Sequence, residues 1–413
     1  VNKEKIFIFP NGLKVITLHI PEKKKIGMMV AIAVGSIHET SETDGVAHFT
    51  EHLLFKSNRH RNGHQLLRDM EWKGIQPGAA TDRDSTYFRI VSPPAVFDDA
   101  IRIAFEAYRN LDYRQEELET EREVVITEIK RCAENPGQHL IHNLLMPYYF
   151  KGTDLERNVF GQVRAIANIT YHEMINFKAK HYIPQNTVIA IAGNFEEKAV
   201  FDKIESTFGQ LPKSHYNEAK PNTIVSPIKR EPLYEARENI GQIYLGQIIG
   251  AADRFGGEDY FSLRLLETAI GRDMCCRMFE ELREKRGIGY LVSSIYQNHP
   301  ENCIILYVGG IDPKRLDETR KVLDNIIYDI AENGLLEDEL EGVRCKAISL
   351  LHDRLENLDD ITLDLFRKAM YGFTCSILNE EDGYRNLSAP ILKKVAQKYL
   401  TRPRLEAGII PTK

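Results

Sequence analysis

The feature that most restricts how this chain can fold is that its second half replays its first. Residues 242–250 (Gln-Ile-Tyr-Leu-Gly-Gln-Ile-Ile-Gly) resemble residues 27–35, and residues 334–341 resemble residues 113–119, each of the latter pair opening a long helix. A chain of 413 residues is too long for one ordinary core, and two related units of about 200 residues suit the usual domain size. Within the first half, an alternating apolar strand at 5–9 turns at Pro10-Asn11-Gly12 into a second strand at 13–19. A buried-type strand follows at 27–34, then a helix N-capped by Thr43 or Asp44, a strand at 86–91 and helices at 94–111, 115–132 and 171–181. A strand at 187–192 ends at Gly193-Asn194, and residues 209–232, rich in Pro, Lys, Ser and Asn, read as a linker. The fold class is therefore α+β: two structurally similar halves, each a mainly antiparallel β-sheet flanked by α-helices. The expected domains are 1–208, the linker 209–232, and 233–413.

Charge and composition exclude several partner classes. The net charge is −6 with both signs interspersed, which gives neither the basic stripe of a nucleic-acid binder nor a face for anionic membranes. No apolar run has the length of a membrane-spanning helix or of a secretory leader, and the expected location is cytoplasmic. The six cysteines form no Cys-x-x-Cys pair and read as incidental thiols.

The chemistry concentrates in His48-Phe49-Thr50-Glu51-His52. On a helix, Val46, Phe49, Leu53 and Leu54 share the inward face. His48 and His52, four apart, project from one side and can grip one metal ion with two nitrogens. Glu51 lies on that side and can reach a metal-activated water without being a ligand. A catalytic zinc site needs a third protein ligand and an open position. The helix at 115–132 offers Glu121 and Glu128, seven apart on one face, and its pattern alone does not choose between them; Val124, Val125 and Ile129 are available for packing. His60 and His64 form another i, i+4 pair, but Asn62-Gly63 between them weakens a helix, and they read as solvated.

His48-Phe49-Thr50-Glu51-His52-Leu53-Leu54-Phe55-Lys56 resembles the inverted zinc motif of the pitrilysin/insulinase peptidases. Glu121-Arg122-Glu123-Val124-Val125-Ile126-Thr127-Glu128 is similar to the family's second motif, and the 76 positions between His52 and Glu128 match its spacing. The resemblance implies one zinc ion per chain held by His48, His52 and Glu128, with Glu51 as general base and Glu121 supporting a ligand histidine. Leu282-Arg283-Glu284-Lys285-Arg286-Gly287-Ile288-Gly289-Tyr290 is similar to a second-half motif of the family, which implies that Arg283 holds substrate and Tyr290 donates to the oxyanion. The segment Pro77-Gly78-Ala79-Ala80-Thr81 resembles its substrate-side strand, implying substrate binding by Ala79, Ala80 and Thr81; Gly78 stands where the family usually has Asn. The implied fold is that of the mitochondrial processing peptidases. The implied function is zinc-dependent endopeptidase action on peptides or unfolded polypeptides, in a homodimer. The alternative is a non-catalytic or partner-dependent peptide-binding subunit: non-catalytic relatives characteristically break the His/Glu/His/Glu set that is intact here, and partner-dependent ones split the zinc half-site and the Arg/Tyr pair between two chains, whereas this chain carries both.

The repeat supplies an internal control. With Gly35 aligned on Gly250, His48, Glu51 and His52 fall on Leu263, Leu266 and Glu267; with Leu118 aligned on Leu340, Glu128 falls on Leu350. The second half keeps the scaffold and lacks the ligands.

Overall fold

The computed structural model describes residues 4–58, 61–214, 230–251, 257–298, 302–373 and 375–412. His60 and most of the expected linker (215–229) lie outside the described residues. The chain divides into two compact units, and the division is not a single cut. Unit 1 comprises residues 1–131, 157–222 and 354–377; unit 2 comprises 132–156, 223–353 and 378–413. Each unit thus takes in one segment from the other half of the sequence.

Unit 1 is built on a six-stranded sheet. Its strands are β1 (Glu4–Ile8), β2 (Lys14–His19), β3 (Ile26–Ile32), β4 (Gln76–Thr81), β5 (Thr86–Ser92) and β6 (Thr187–Gly193). They lie in the order β1-β2-β6-β3-β5-β4, and every pair is antiparallel except β2–β6. Its helices include α1 (Val46–His52), α2 (Phe97–Arg109), α3 (Gln115–Glu134) and α4 (Tyr171–His181), with further ones at Gly63–Trp72 and Glu197–Ser206. Val30, Phe88, Ile90, Ile189 and Ile191 from the sheet join Val46, Phe49, Leu53, Ala104, Leu118 and Val125 from the helices in one buried cluster. Every residue of β3 and β6 is buried, because the sheet is covered on its second face too: the late helix Leu358–Tyr371 packs on β2, β3, β5 and β6. A strand covered on both faces reads as continuous apolar sequence rather than alternation.

Unit 2 has five strands, β7 (Leu233–Arg237), β8 (Ile243–Gly250), β9 (Leu291–Asn298), β10 (Asn302–Ile311) and β11 (Arg404–Pro411), in the order β7-β11-β8-β10-β9. Only the β7–β11 pair is parallel. Its helices include α5 (Tyr260–Gly271) and α6 (Glu337–Glu356). The repeat is realised in the helices: α3 and α6 each run 20 residues. Leu263, Leu266 and Glu267, the counterparts of the metal motif, lie buried on α5, where Glu267 accepts from Ser294 Oγ at 2.7 Å. No helix among the described residues is long and apolar enough to cross a membrane.

Candidate metal centre

α1 is only seven residues long, too short to persist on propensity alone. Packing and capping hold it. Val46, Phe49, Leu53 and Leu54 are at most 1% exposed, as the spacing requires. The N-cap departs from the sequence expectation. Neither Thr43 nor Asp44 caps the helix; Gly45 does, in a left-handed conformation at φ 96° and with no side chain to offer. The missing acceptor comes from Glu39, whose buried carboxylate takes the N–H groups of Gly45 and Ala47, both at 2.8 Å. Burial pushes the Glu39 carboxyl up to about 8 against the pull of these two N–H groups. Glycine is needed at 45 for a second reason: a Cβ there would lie 2.7 Å from Ile166 Cδ1 and 2.9 Å from the Cα of Gly161, which crosses it. This crossing brings Phe160 edge-on to the His48 ring at 5.6 Å. Glu39→Ala is expected to cost about 1–2 kcal/mol of unit 1 stability, measured by denaturant unfolding, and Glu39→Gln less, since it keeps an acceptor.

His48, His52 and Glu128 each offer a donor atom within 4.8 Å of the others. The two Nε2 atoms are 3.3 Å apart, and Glu128 Oε2 lies 3.7 Å from His48 Nε2 and 3.5 Å from His52 Nε2. Tetrahedral zinc with bonds of about 2.0–2.1 Å has donor–donor edges of roughly 3.3–3.4 Å, so two edges fit closely and the third needs a small closure. The electrostatics agree. Burial, helped by the neighbouring His52, pushes His48 down to about 3, with the Phe160 carbonyl opposing, so its imidazole is neutral and has a lone pair to give. His48 Nδ1 is buried without a well-formed hydrogen bond. His52 is oriented by Glu121, whose Oε2 lies 3.2 Å from Nδ1; a proton on Nδ1 leaves Nε2 as the donor atom. Lys56 Nζ binds the other Glu121 oxygen and balances its charge.

Glu51 lies on the same turn. Burial pushes its carboxyl up to about 7, with His52 opposing and Glu128 and Glu121 adding to the rise. A cation held by the neighbouring ligands would pull it down again. Of the apolar residues expected to pack on α3, Val125 is buried, whereas Val124 is 45% exposed. Helical phase alone does not separate them, since each lies about 50° from the middle of the Glu121–Glu128 stripe, on opposite sides.

Ala79, Ala80 and Thr81 lie on β4, the outermost strand of the sheet, paired on one side only with Phe88, Tyr87 and Thr86 of β5; α1 packs against β4. At Gly78 a Cβ would lie 2.7 Å from Arg89 Nε. The Arg89 guanidinium, paired with Asp359, therefore occupies the space where a side chain at 78 would sit.

Arg283 and Tyr290 belong to unit 2, which brings them together: the guanidinium lies 5.0 Å from the Tyr290 ring centre and 4.8 Å from that of Phe279. Arg283 sits in a π-helical turn, Phe279–Glu284, a winding that often marks functional positions. Tyr290 is 72% exposed.

Residues 14–163 match the family model described as Insulinase (Peptidase family M16), and residues 168–345 match the Peptidase M16 inactive domain. The chain is 27% identical over 339 residues to an uncharacterised zinc protease of Streptomyces coelicolor, covering 80% of this chain and 72% of the relative. A Bacillus subtilis protein of the same description is 23% identical over 334 residues, covering 80% of each. A protease structure from Helicobacter pylori superimposes with a TM-score of 0.91 at 19% identity over the full length of both chains. One titled peptidase M16 inactive domain from Pseudomonas fluorescens also gives 0.91, at 20% identity, over 100% of this chain and 99% of the other. With both halves matched by its models, and a metal motif in one half that the other lacks, the chain belongs to the insulinase (M16) peptidase family.

Proposed function

We propose that this chain is a zinc-dependent endopeptidase acting on peptides or unfolded polypeptides. The observation that carries the reading is the donor triangle of His48, His52 and Glu128, with edges close to those of tetrahedral zinc. Bound there, zinc would supply Lewis acidity and lower the pKa of water toward neutrality. Glu51 accepts the proton of the attacking water and returns it to the leaving amine. Glu121 keeps His52 in the ligating tautomer. An extended substrate adds to the open edge of β4 along Ala79, Ala80 and Thr81, its main chain supplying the hydrogen bonds that β5 leaves unused.

Tyr290 donates to the oxyanion and Arg283 holds a substrate carbonyl or carboxylate. Because one chain carries both this pair and the metal set, we assign the working form to a homodimer. Tyr290→Phe is expected to lower turnover by about 100-fold with little change in KM; an unchanged kcat would remove the phenol from the mechanism.

A second reading draws on the match of residues 168–345 to a model described as an inactive domain: a non-catalytic or partner-dependent subunit. The intact donor set opposes the non-catalytic form, and the presence of Arg283 and Tyr290 in the same chain opposes the partner-dependent one. Cleavage of a quenched-fluorescence peptide library by the isolated chain, with and without chelator, separates the two. Chelator-sensitive cleavage supports the peptidase reading, and metal-loaded protein without cleavage supports the second.

A further inference from the structure

We infer that Glu117 is a positioning residue for the metal centre: its carboxylate fixes the register of α3 against the exit of α1 and so delivers Glu128 to His48 and His52. The inference rests on the zinc reading above and adds a residue to it.

The metal site joins two elements that are distant in sequence, α1 and the far end of α3. A shift of one residue along α3 is about 1.5 Å of rise and 100° of rotation. It would present Thr127 or Ile129 in place of Glu128, and neither is a ligand of this kind. Something must therefore set the register of α3 to better than one residue before metal arrives.

Ser57, five residues beyond α1, meets that need. It is 1% exposed, and its polar atoms are committed. Its N–H donates to Glu117 Oε2 at 3.1 Å and its hydroxyl donates to Glu117 Oε1. Its Oγ accepts from Gly63 N at 3.0 Å, and its carbonyl accepts from Asn110 Nδ2 at 2.8 Å. Asn110 is fixed in turn by the buried Lys178, whose ammonium donates to the Asn110 and Ala107 carbonyls, both at 2.8 Å. The preceding residue, Lys56, binds Glu121, one turn further along α3.

Two consecutive residues thus seize two carboxylates of α3 one turn apart. Glu117, Glu121 and Glu128 all fall within about 40° of one another around the helix. The stripe is a ladder: Ser57 takes the first rung, Lys56 and His52 share the second, and the ligand histidines face the third, about 16 Å from the first. Arg122 ties the same helix sideways, lying 5.2 Å from the Phe49 ring centre, but it leaves the stripe itself to the carboxylates. A first-turn glutamate also favours its own helix through the N-terminal dipole. That role alone would alter stability and leave metal affinity unchanged.

The test is zinc affinity of metal-free protein, by competition with a chromogenic chelator, alongside the melting temperature of each metal-free variant. Glu117→Ala is expected to weaken zinc binding by about 10-fold or more. Glu117→Gln, which still offers an oxygen to Ser57 N–H and an amide to its hydroxyl, should stay within roughly 3-fold of the unsubstituted protein. Ile204→Ala, a buried change far along unit 1, should lower the melting temperature without changing zinc affinity. Wild-type affinity in Glu117→Ala overturns the inference, as does an equal loss in Ile204→Ala. Should Glu117→Ala fail to fold, Ser57→Ala decides: a measurable loss of affinity supports the clamp, and unchanged affinity overturns it. Failure of the unsubstituted protein to bind zinc would instead overturn the zinc reading itself.

Discussion

Glu51→Gln is expected to leave zinc binding intact and to lower peptide turnover by about 1,000-fold. The substitution keeps size and polarity and removes the ability to take a proton. Glu51 is not part of the donor triangle, so the metal should remain. Burial raises its carboxyl to about 7 with no metal in place, and a cation bound beside it would pull that value down and favour the carboxylate that takes the proton. The measurement pairs metal content with kcat on one quenched peptide. Turnover retained within a few-fold would exclude Glu51 as the base; metal lost along with turnover would make it a ligand or a structural support.

The second large effect separates the two carboxylates that the sequence pattern alone leaves equivalent. Glu128→Gln replaces a charged ligand with an amide and is expected to weaken zinc by at least about 100-fold. Glu121→Gln, which perturbs only the partner of His52 Nδ1 and of Lys56, should cost about 10-fold to 100-fold and leave some zinc-restored activity. Zinc titrations of the two variants side by side check this ordering. The reverse order would assign Glu121 to the metal and Glu128 to the support.

Much of this site was legible because its signals are local. The i, i+4 histidines, the inward stripe of Val46, Phe49, Leu53 and Leu54, and the seven-residue carboxylate spacing are consequences of helix periodicity. The repeat forecast that α6 would match α3 in length and that α5 would carry Leu263, Leu266 and Glu267 in place of the ligands.

What escaped is non-local. Glu39 caps α1 from across a loop, whereas local sequence offers only Thr43 and Asp44 as N-caps; the signal that points beyond them is Gly45, which offers no cap of its own. The 354–377 segment covers the sheet of unit 1 more than 300 residues after β3 is made, and no spacing rule connects the two. Val124 and Val125 are both apolar and lie about equally far from the Glu121–Glu128 stripe on opposite sides, so only the packed structure shows that the first is exposed and the second buried. Glu117 reads as one more acidic residue in a helix's first turn until Ser57 is seen against it.

The central claim is that one chain holds one zinc ion and uses it to cut peptides. Zinc content by mass spectrometry of the purified protein, measured together with peptide cleavage before chelation, after chelation and after zinc is restored, tests it most directly. The expected result is about one zinc per chain, cleavage lost with the metal, and cleavage recovered on adding it back. Cleavage that persists in metal-free protein would contradict the account.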